Sequence, residues 1–383
     1  MVKKEKMMEL DLGEIRNNID AIDEQLLELF RKRMTLTGDV ARYKAANNMV
    51  VFQGDREKAI LDRVRENSPE ELKNSAAFLF MNIMDISKCS QQNDITPDQP
   101  ILHLSKIMDK PSVAVQGATG AYGHVAATQL FKNGNLSFYA SFAEVFEAVE
   151  NGDVDYGVLP IENNNAGEVT LNMELLEKHG VYINRTTRVE CAHVLAAKQG
   201  VREEDIRILF GHEQAIRQCE DYIESRSGLT VIPYHNNASA ALMVAENPSN
   251  ELGCICSAEC AEMHGLSIVR EHIATDPNNA TRFICISKNL EVYDGADTVA
   301  VSLSVPNIAG SLYRMLTKFA VNGLSLSKIQ SKPLPVHVRL KYPNDYMFYV
   351  EFSGNINDSV VRKQLKNFES ELHYYKFHGN FIG

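Results

Sequence analysis

The sequence predicts a multidomain protein: an all-α N-terminal region, a central α/β region and a small α+β C-terminal module. Three patterns carry this. Apolar residues recur at alternating steps of three and four from Leu12 to Tyr43, the signature of a long helix that packs along another helix. From Val113 onward, apolar strands alternate with helical segments, and polar clusters follow the strand ends. From Asp297 the order is strand, helix, strand, strand, helix, strand, a ferredoxin-like split βαβ. The boundaries fall at 8–92 for the helices, 93–110 for a Pro-bearing linker, 111–289 for the α/β region and 297–383 for the last module. A length of 383 residues fits two or three domains.

Composition narrows the function. At 44% apolar and 23% charged residues the chain is of ordinary globular type. A net charge of -11 argues against nucleic acid or an anionic membrane as the main partner. No apolar run nears the ~18 residues of a membrane span, and the Lys-rich start leads into no apolar secretory core, so the expected location is the cytoplasm. Seven scattered cysteines do not form a disulfide framework. Cys254, Cys256 and Cys260 read as small apolar packing residues rather than metal ligands; no metal or organic cofactor is expected.

Asp11 to Glu14 has capping-box spacing ahead of the long helix. Arg33 interrupts the apolar seam and has two readings: it snorkels over apolar surface, or it meets a buried anion. Lys44 lies three turns further on nearly the same face, ~16 Å away at 1.5 Å per residue, so the pair brackets a small dicarboxylate. Arg16 is ~42 Å from Lys44 along a straight helix and reaches the same ligand only from a second subunit. A second helix opens at Asp55-Arg56-Glu57, with Ile60, Leu61 and Val64 as its apolar face. Ser68-Pro69-Glu70-Glu71 starts a third that runs to about Gln91, with Ser87 and Gln91 one turn apart.

Three helices carrying Arg16, Arg33, Lys44, Arg56, Glu57, Ser87 and Gln91 resemble the all-helical chorismate mutases that form intertwined dimers. The resemblance implies that Arg16 of a partner subunit and Arg33 hold two carboxylates. Lys44 and Gln91 donate to the ether oxygen that gains charge as the C–O bond breaks, and Glu57 holds the ring hydroxyl. Arg56 and Ser87 belong to the same substrate-binding set. Gln53 stands where the family usually has Asp, so the hydroxyl contact departs from the pattern while the carboxylate clamp does not.

In the α/β region Val113–Gln116 precedes Gly117-Ala-Thr-Gly120-Ala-Tyr-Gly123, which matches neither a dinucleotide fingerprint nor a P-loop. Asp155–Ile161 ends at Glu162-Asn163-Asn164-Asn165. Ile206–Phe210 leads to Gly211-His-Glu-Gln214, and Leu229–Ile232 to Asn236-Asn237-Ala238. After the turn Asp276-Pro277-Asn278-Asn279, Thr281-Arg282-Phe283 places a hydroxyl and a guanidinium at the start of a strand. Together these stretches resemble prephenate dehydratase, whose fold has two α/β lobes of periplasmic-binding-protein type, and the whole order resembles the fused chorismate mutase–prephenate dehydratases. The resemblance makes Thr281 the central catalytic residue, donating to the departing hydroxyl. Arg282 and Phe283 shape the site, and Glu162, Asn163 and Gln214 line it. Positions that usually carry hydroxyls are Ala121, Gly123, Asn164 and Gly211, with Asn236 and Asn237 in the usual Ser-Thr run and Ala118 for Pro.

The last module resembles the amino-acid-binding ACT domain and implies phenylalanine as effector. Ala309, Gly310, Ser311 and Leu312 approximate one half of its ligand motif, and Ser331, Lys332 and Pro333 the other. The expected substrates are chorismate and prephenate, in a homodimer or larger homo-oligomer. Two other readings stay open: a working mutase fused to an altered or silent dehydratase, and a non-catalytic sensor of aromatic compounds.

Overall fold

The computed structural model describes residues 11–47, 49, 54–96, 98 and 105–383. Contacts divide the chain into two compact units. One comprises Met1–Pro100 with Val305–Ser325 and Asp358–Leu372; the other comprises Ile101–Ser304, Leu326–Asn357 and His373–Gly383.

The first unit is helical. α1 (Leu12–Ala46) begins where the Asp11 carboxylate accepts from the Gly13 amide at 2.8 Å, as the capping pattern predicts. It runs 35 residues unbroken. α2 spans Gly54–Glu66 and α3 spans Lys73–Ile95. Ser68, expected to cap the third helix, instead donates back to the Val64 carbonyl at 2.7 Å and closes the end of α2. A 3₁₀ turn at Glu70–Leu72 then precedes α3, which continues four residues past Gln91. The seam of α1 also differs from expectation. Arg33, Thr37, Ala41 and Lys44 turn inward, whereas Leu12, Ile19, Ile22, Leu26, Leu29, Leu36 and Tyr43 each keep 50–65% of their surface exposed. The apolar stripe therefore lies beside the face used within this chain.

The second unit opens with β1 (Ser112–Gln116), α4 (Tyr122–Leu130), β2 (Asn135–Tyr139), α5 (Phe142–Asn151), β3 (Tyr156–Asn163), β4 (Gly167–Glu168), α6 (Thr170–Lys178) and β5 (Tyr182–Glu190). A second lobe follows: β6 (Val194–Ala197), β7 (Ile208–Gly211), α7 (Glu213–Gln218), α8 (Glu220–Glu224), β8 (Thr230–Pro233), α9 (Asn237–Glu246), β9 (Leu252–Cys256), α10 (Ala258–Met263) and β10 (Ser267–Arg270). The chain then returns to the first lobe as β11 (Ala280–Ser287), antiparallel between β3 and β5. The second lobe is a five-stranded sheet in the order β10-β6-β9-β7-β8. Two segments cross between lobes, 191–193 and 271–279, and are stitched by Cys191 N to Asn279 O at 2.8 Å and Ile273 N to His193 O at 3.1 Å. Separate apolar cores stabilise each lobe: Phe146, Leu159, Ile161 and Ile284 in the first, Leu195, Leu209 and Ile255 in the second. Cys254, Cys256 and Cys260 are buried in the second lobe's packing.

The C-terminal elements are β12 (Thr298–Pro306), α11 (Ser311–Val321), β13 (Leu326–Lys332), a short α12 (Val336–Arg339), β14 (Asp345–Ser353), α13 (Ser359–Glu371) and β15 (Tyr375–Ile382). Apart from α12, this is the order expected. The strands lie as β13-β14-β12-β15, and β15 continues parallel onto β5, so one sheet runs on through the first lobe to β2. Gly379 makes the junction possible: at φ +148, a Cβ there would sit 2.0 Å from the Ile183 carbonyl oxygen. α11 and α13 belong to the helical unit.

Candidate active sites

Two sites emerge, one in each unit. In the helical unit, Arg33 and Lys44 share the buried face of α1, and α3 presents Ser87 and Gln91. Arg33 donates to Ser87 Oγ and, at 3.3 Å, to the Ile83 carbonyl; Ser87 Oγ in turn donates to the same carbonyl at 2.6 Å. Lys44, Ser87 and Gln91 are all buried. Burial lowers the pKa of Arg33 and of Lys44, and the Glu57 carboxylate partly opposes the shift at Lys44. The side-chain oxygen of Gln91 is buried without a hydrogen-bond partner among the described residues, an open acceptor that favours a ligand with a hydrogen-bond donor. Cations and amide dipoles held out of water are what a developing negative charge needs.

Glu57 sits on α2, its carboxylate 2.9 Å from Lys88 Nζ and 3.3 Å from an Arg314 nitrogen. Arg56 is exposed on the same helix. Arg16 is exposed on the first third of α1, and the unbroken helix keeps it away from Lys44. Gln53 lies outside the described residues. Lys88, Asp85 and Arg314, which surround Glu57, had not been singled out from the sequence; charged residues on helix faces carry no mark of a partner distant in the chain.

In the second unit, Thr281 opens β11 opposite Asn163 at the end of β3. Asn163 Nδ2 donates to Thr281 Oγ1 at 2.9 Å, to Asn279 Oδ1 at 2.8 Å and to the Ala280 carbonyl at 3.2 Å. Cys191 Sγ lies 3.2 Å from Thr281 Oγ1. Burial raises the pKa of that thiol, so it stays protonated. Asn279 is buried, and its Nδ2 has no partner among the described residues. The sequence pointed to Asn163 and Thr281, and register brings them together.

The neighbouring pair faces elsewhere. Glu162 and Arg282 are also opposite each other, but alternation along a strand turns them to the other side of the sheet. Glu162 accepts from Lys328 Nζ at 2.8 Å, and Arg282 forks onto the Glu351 carboxylate at 2.8 and 2.5 Å. Burial opposes the ionisation of Glu162, yet the Lys328 bond prevails and lowers its pKa. Phe283 is buried in the core with Val115, Tyr156 and Val158. Gln214 is half-buried in the first turn of α7, after the His212 cap.

A chain of polar groups not anticipated from sequence joins the lobes. Tyr122 OH is 3.1 Å from His193 Nδ1, and His193 Nε2 is 2.8 Å from Gln218 Oε1. An amide oxygen only accepts, so Nε2 carries the proton and Nδ1 accepts from Tyr122. Burial lowers the His193 pKa, against the pull of Gln218, and favours this neutral form. The substituted positions are tied into the framework. Asn164 bridges Arg188 and the Asn278 carbonyl, Asn236 caps α9, and Asn237 Oδ1 accepts from the His212 amide. A side chain at Gly123 would begin 3.0 Å from Val115.

Of the C-terminal ligand-motif residues, Gly310 takes φ +87 just ahead of α11, where Ser311 and Leu312 begin the helix, and Ala309 is exposed. Ser331 and Pro333 are exposed, while Lys332 pairs with Glu168. Among the described residues no helix is long and apolar enough to cross a membrane.

Comparison with known proteins coincides with this division. Residues 15–92 match the family model of type II chorismate mutases, and residues 113–291 match that of prephenate dehydratases. The chain is 31% identical to arogenate dehydratase/prephenate dehydratase 2 of Arabidopsis thaliana, over 84% of this chain and 86% of that protein. It is 27% identical to the bifunctional chorismate mutase/prephenate dehydratase of Neisseria gonorrhoeae, over 96% of this chain and 95% of that one. The crystal structure of prephenate dehydratase from Arthrobacter aurescens in complex with L-Phe superposes with a TM-score of 0.64 at 26% identity, covering 71% of this chain and 90% of that one.

Proposed function

The chain belongs to the family of fused chorismate mutase–prephenate dehydratases, and on that premise we propose that it carries out two consecutive steps of phenylalanine synthesis. The helical unit rearranges chorismate to prephenate. The two-lobed unit converts prephenate to phenylpyruvate. The observation that carries the reading is the coincidence of each family match with a set of converging polar groups, Arg33–Ser87–Lys44–Gln91 in one and Asn163–Thr281–Asn279 in the other.

The first step breaks a C–O bond and forms a C–C bond with no net proton transfer. Its catalyst therefore needs only to compress the substrate and stabilise charge at the ether oxygen. Arg33 holds a carboxylate, Lys44 and Gln91 face the ether oxygen, and Glu57 takes the ring hydroxyl; Ser87 orients Arg33. The exposed stripe on α1 supports an intertwined dimer in which the partner's helix supplies the second arginine, equivalent to Arg16.

In the second step the ring carboxylate leaves as carbon dioxide, its bonding pair aromatises the ring, and hydroxide departs with a proton as water. Because Asn163 fills an acceptor site on Thr281 Oγ1, the Thr281 proton is left to point outward at the leaving group. Gln214 lines the far wall. Glu162 and Arg282 support the strands from behind, and Phe283 packs in the core on the Thr281 side, none of them touching substrate.

The segment 297–383 acts as an ACT module that binds phenylalanine through 309–312 and 331–333; its sheet order supports this. The domain limits 8–92 and 111–289 and a cytoplasmic location complete the proposal. Full-length protein supplied with chorismate, with phenylpyruvate assayed separately and with phenylalanine present or absent, tests it. Both products are expected, with phenylalanine slowing their formation. Prephenate alone would mean a silent dehydratase, and no turnover would mean a sensor.

A further inference from the structure

The mutase site is bordered by a residue from far along the chain. α3 and α11 run parallel in the helical unit: Arg314 meets Asp85 and Asn322 meets Asn93 at the same offset of 229 residues. Met81 keeps that offset one turn earlier, its methyl 3.9 Å from where a side chain on Gly310 would begin. Phe78 and Tyr313 add ring contact at 5.0 Å. Arg314 forks onto Asp85 at 3.1 and 2.9 Å and reaches Glu57 at 3.3 Å. Lys88 bonds the same two carboxylates at 2.8 and 2.9 Å. Two acids and two bases thus form a largely buried network, and the Asp85 side chain is only 7% exposed.

We propose that Arg314, carried by α11 of the C-terminal module, is a positioning residue for the mutase reaction: it fixes the Glu57 carboxylate that receives the substrate's ring hydroxyl. The inference rests on the mutase reading of the helical unit. A planar guanidinium suits the task, since Nε and Nη2 bind Asp85 with two parallel bonds and the second hydrogen of the same Nη2 is donated to Glu57. Lys88 alone would neutralise Glu57 without fixing its plane. The face of α3 that carries Asp85 and Lys88 is distinct from the one that presents Ser87 to Arg33, so Arg314 acts through Glu57 and leaves the carboxylate clamp intact.

The test uses the full-length protein, measuring chorismate loss and, separately, turnover of supplied prephenate. Arg314→Ala should lower mutase kcat/KM about tenfold, mainly through KM, with dehydratase turnover unchanged within twofold. Adding Arg314→Ala to Glu57→Gln should cost nothing further, because both remove the same contact. The Arg314 penalty should also vanish for a chorismate analogue lacking the ring hydroxyl. An unchanged mutase rate, multiplicative losses in the double variant, or an equal fall in both activities would overturn the proposal. If Arg314→Ala does not fold, Arg314→Gln keeps part of the stem and a hydrogen-bonding amide without the charge, and the same comparisons apply. Wild-type protein that leaves chorismate intact would instead defeat the mutase reading itself.

Discussion

At Thr281 the decisive detail is which lone pair is occupied. The Asn163 amide donates to Oγ1, so the hydroxyl keeps its own proton for either Cys191 or the leaving group. Replacing Thr281 by Val should abolish most dehydratase turnover, while Thr281→Ser should keep a measurable rate. Asn163→Ala should cost roughly 10–100-fold, about 1.5–3 kcal/mol, because the hydroxyl loses its orientation. Cys191→Ala should leave the rate equal or higher, since it removes the competing acceptor. Mutase activity is the internal control for each. Glu177 supplies a second residue-scale expectation. Burial opposes its ionisation, but His378, Ser302 and Tyr374 prevail and hold its pKa at about 2. A carboxylate lowered on folding stabilises above its unfolded pKa, so this contribution is full above about pH 4.5 and lost as pH falls towards 2. The shift amounts to ~3 kcal/mol. Glu177→Gln should lower the melting temperature at pH 7 and flatten the decline between pH 4.5 and 2, seen in thermal scans across that range.

Among the secondary-structure elements, those with strong local signals were legible in the sequence. The α1 cap and strands β1, β3 and β11 formed where predicted, and the six C-terminal elements formed in the order expected. Each has either a cap with a matching period or a compact apolar run bounded by turn residues. Misreadings arose where a local signal competed with a non-local one. The Ser68 hydroxyl had the choice of accepting from an amide of the helix ahead or donating to a carbonyl of the helix behind, and it does the second. The heptad of α1 described a face left open in this chain, while its neighbouring face packs on α3. At the candidate sites, Arg33 and Lys44 were legible from helical spacing and Asn163 with Thr281 from strand ends. The Glu57–Asp85–Lys88–Arg314 network and the Tyr122–His193–Gln218 chain were not, because their members converge only through tertiary packing. Gly379 sets a further element-scale expectation. Gly379→Ala would drive a methyl into the Ile183 carbonyl and should destabilise the protein by more than ~3 kcal/mol, a drop of several degrees in a thermal scan.

For the whole molecule, the proposed dimer separates the two activities. Arg16→Ala and Arg33→Ala should each cripple the mutase, yet mixing them should restore activity: one of the two sites in a heterodimer receives both intact arginines. Subunit exchange followed by a chorismate assay reads this directly, and absence of recovery would place Arg16 outside the site. The continuity of β15 with β5 bears on any attempt to dissect the chain. A fragment ending after β11 would bare one edge of β5, a nine-residue strand whose other edge stays paired with β11. Such an edge recruits other strands, so the shortened protein should tend to clump, and the C-terminal strands serve as its cover whether or not they ever meet an amino acid.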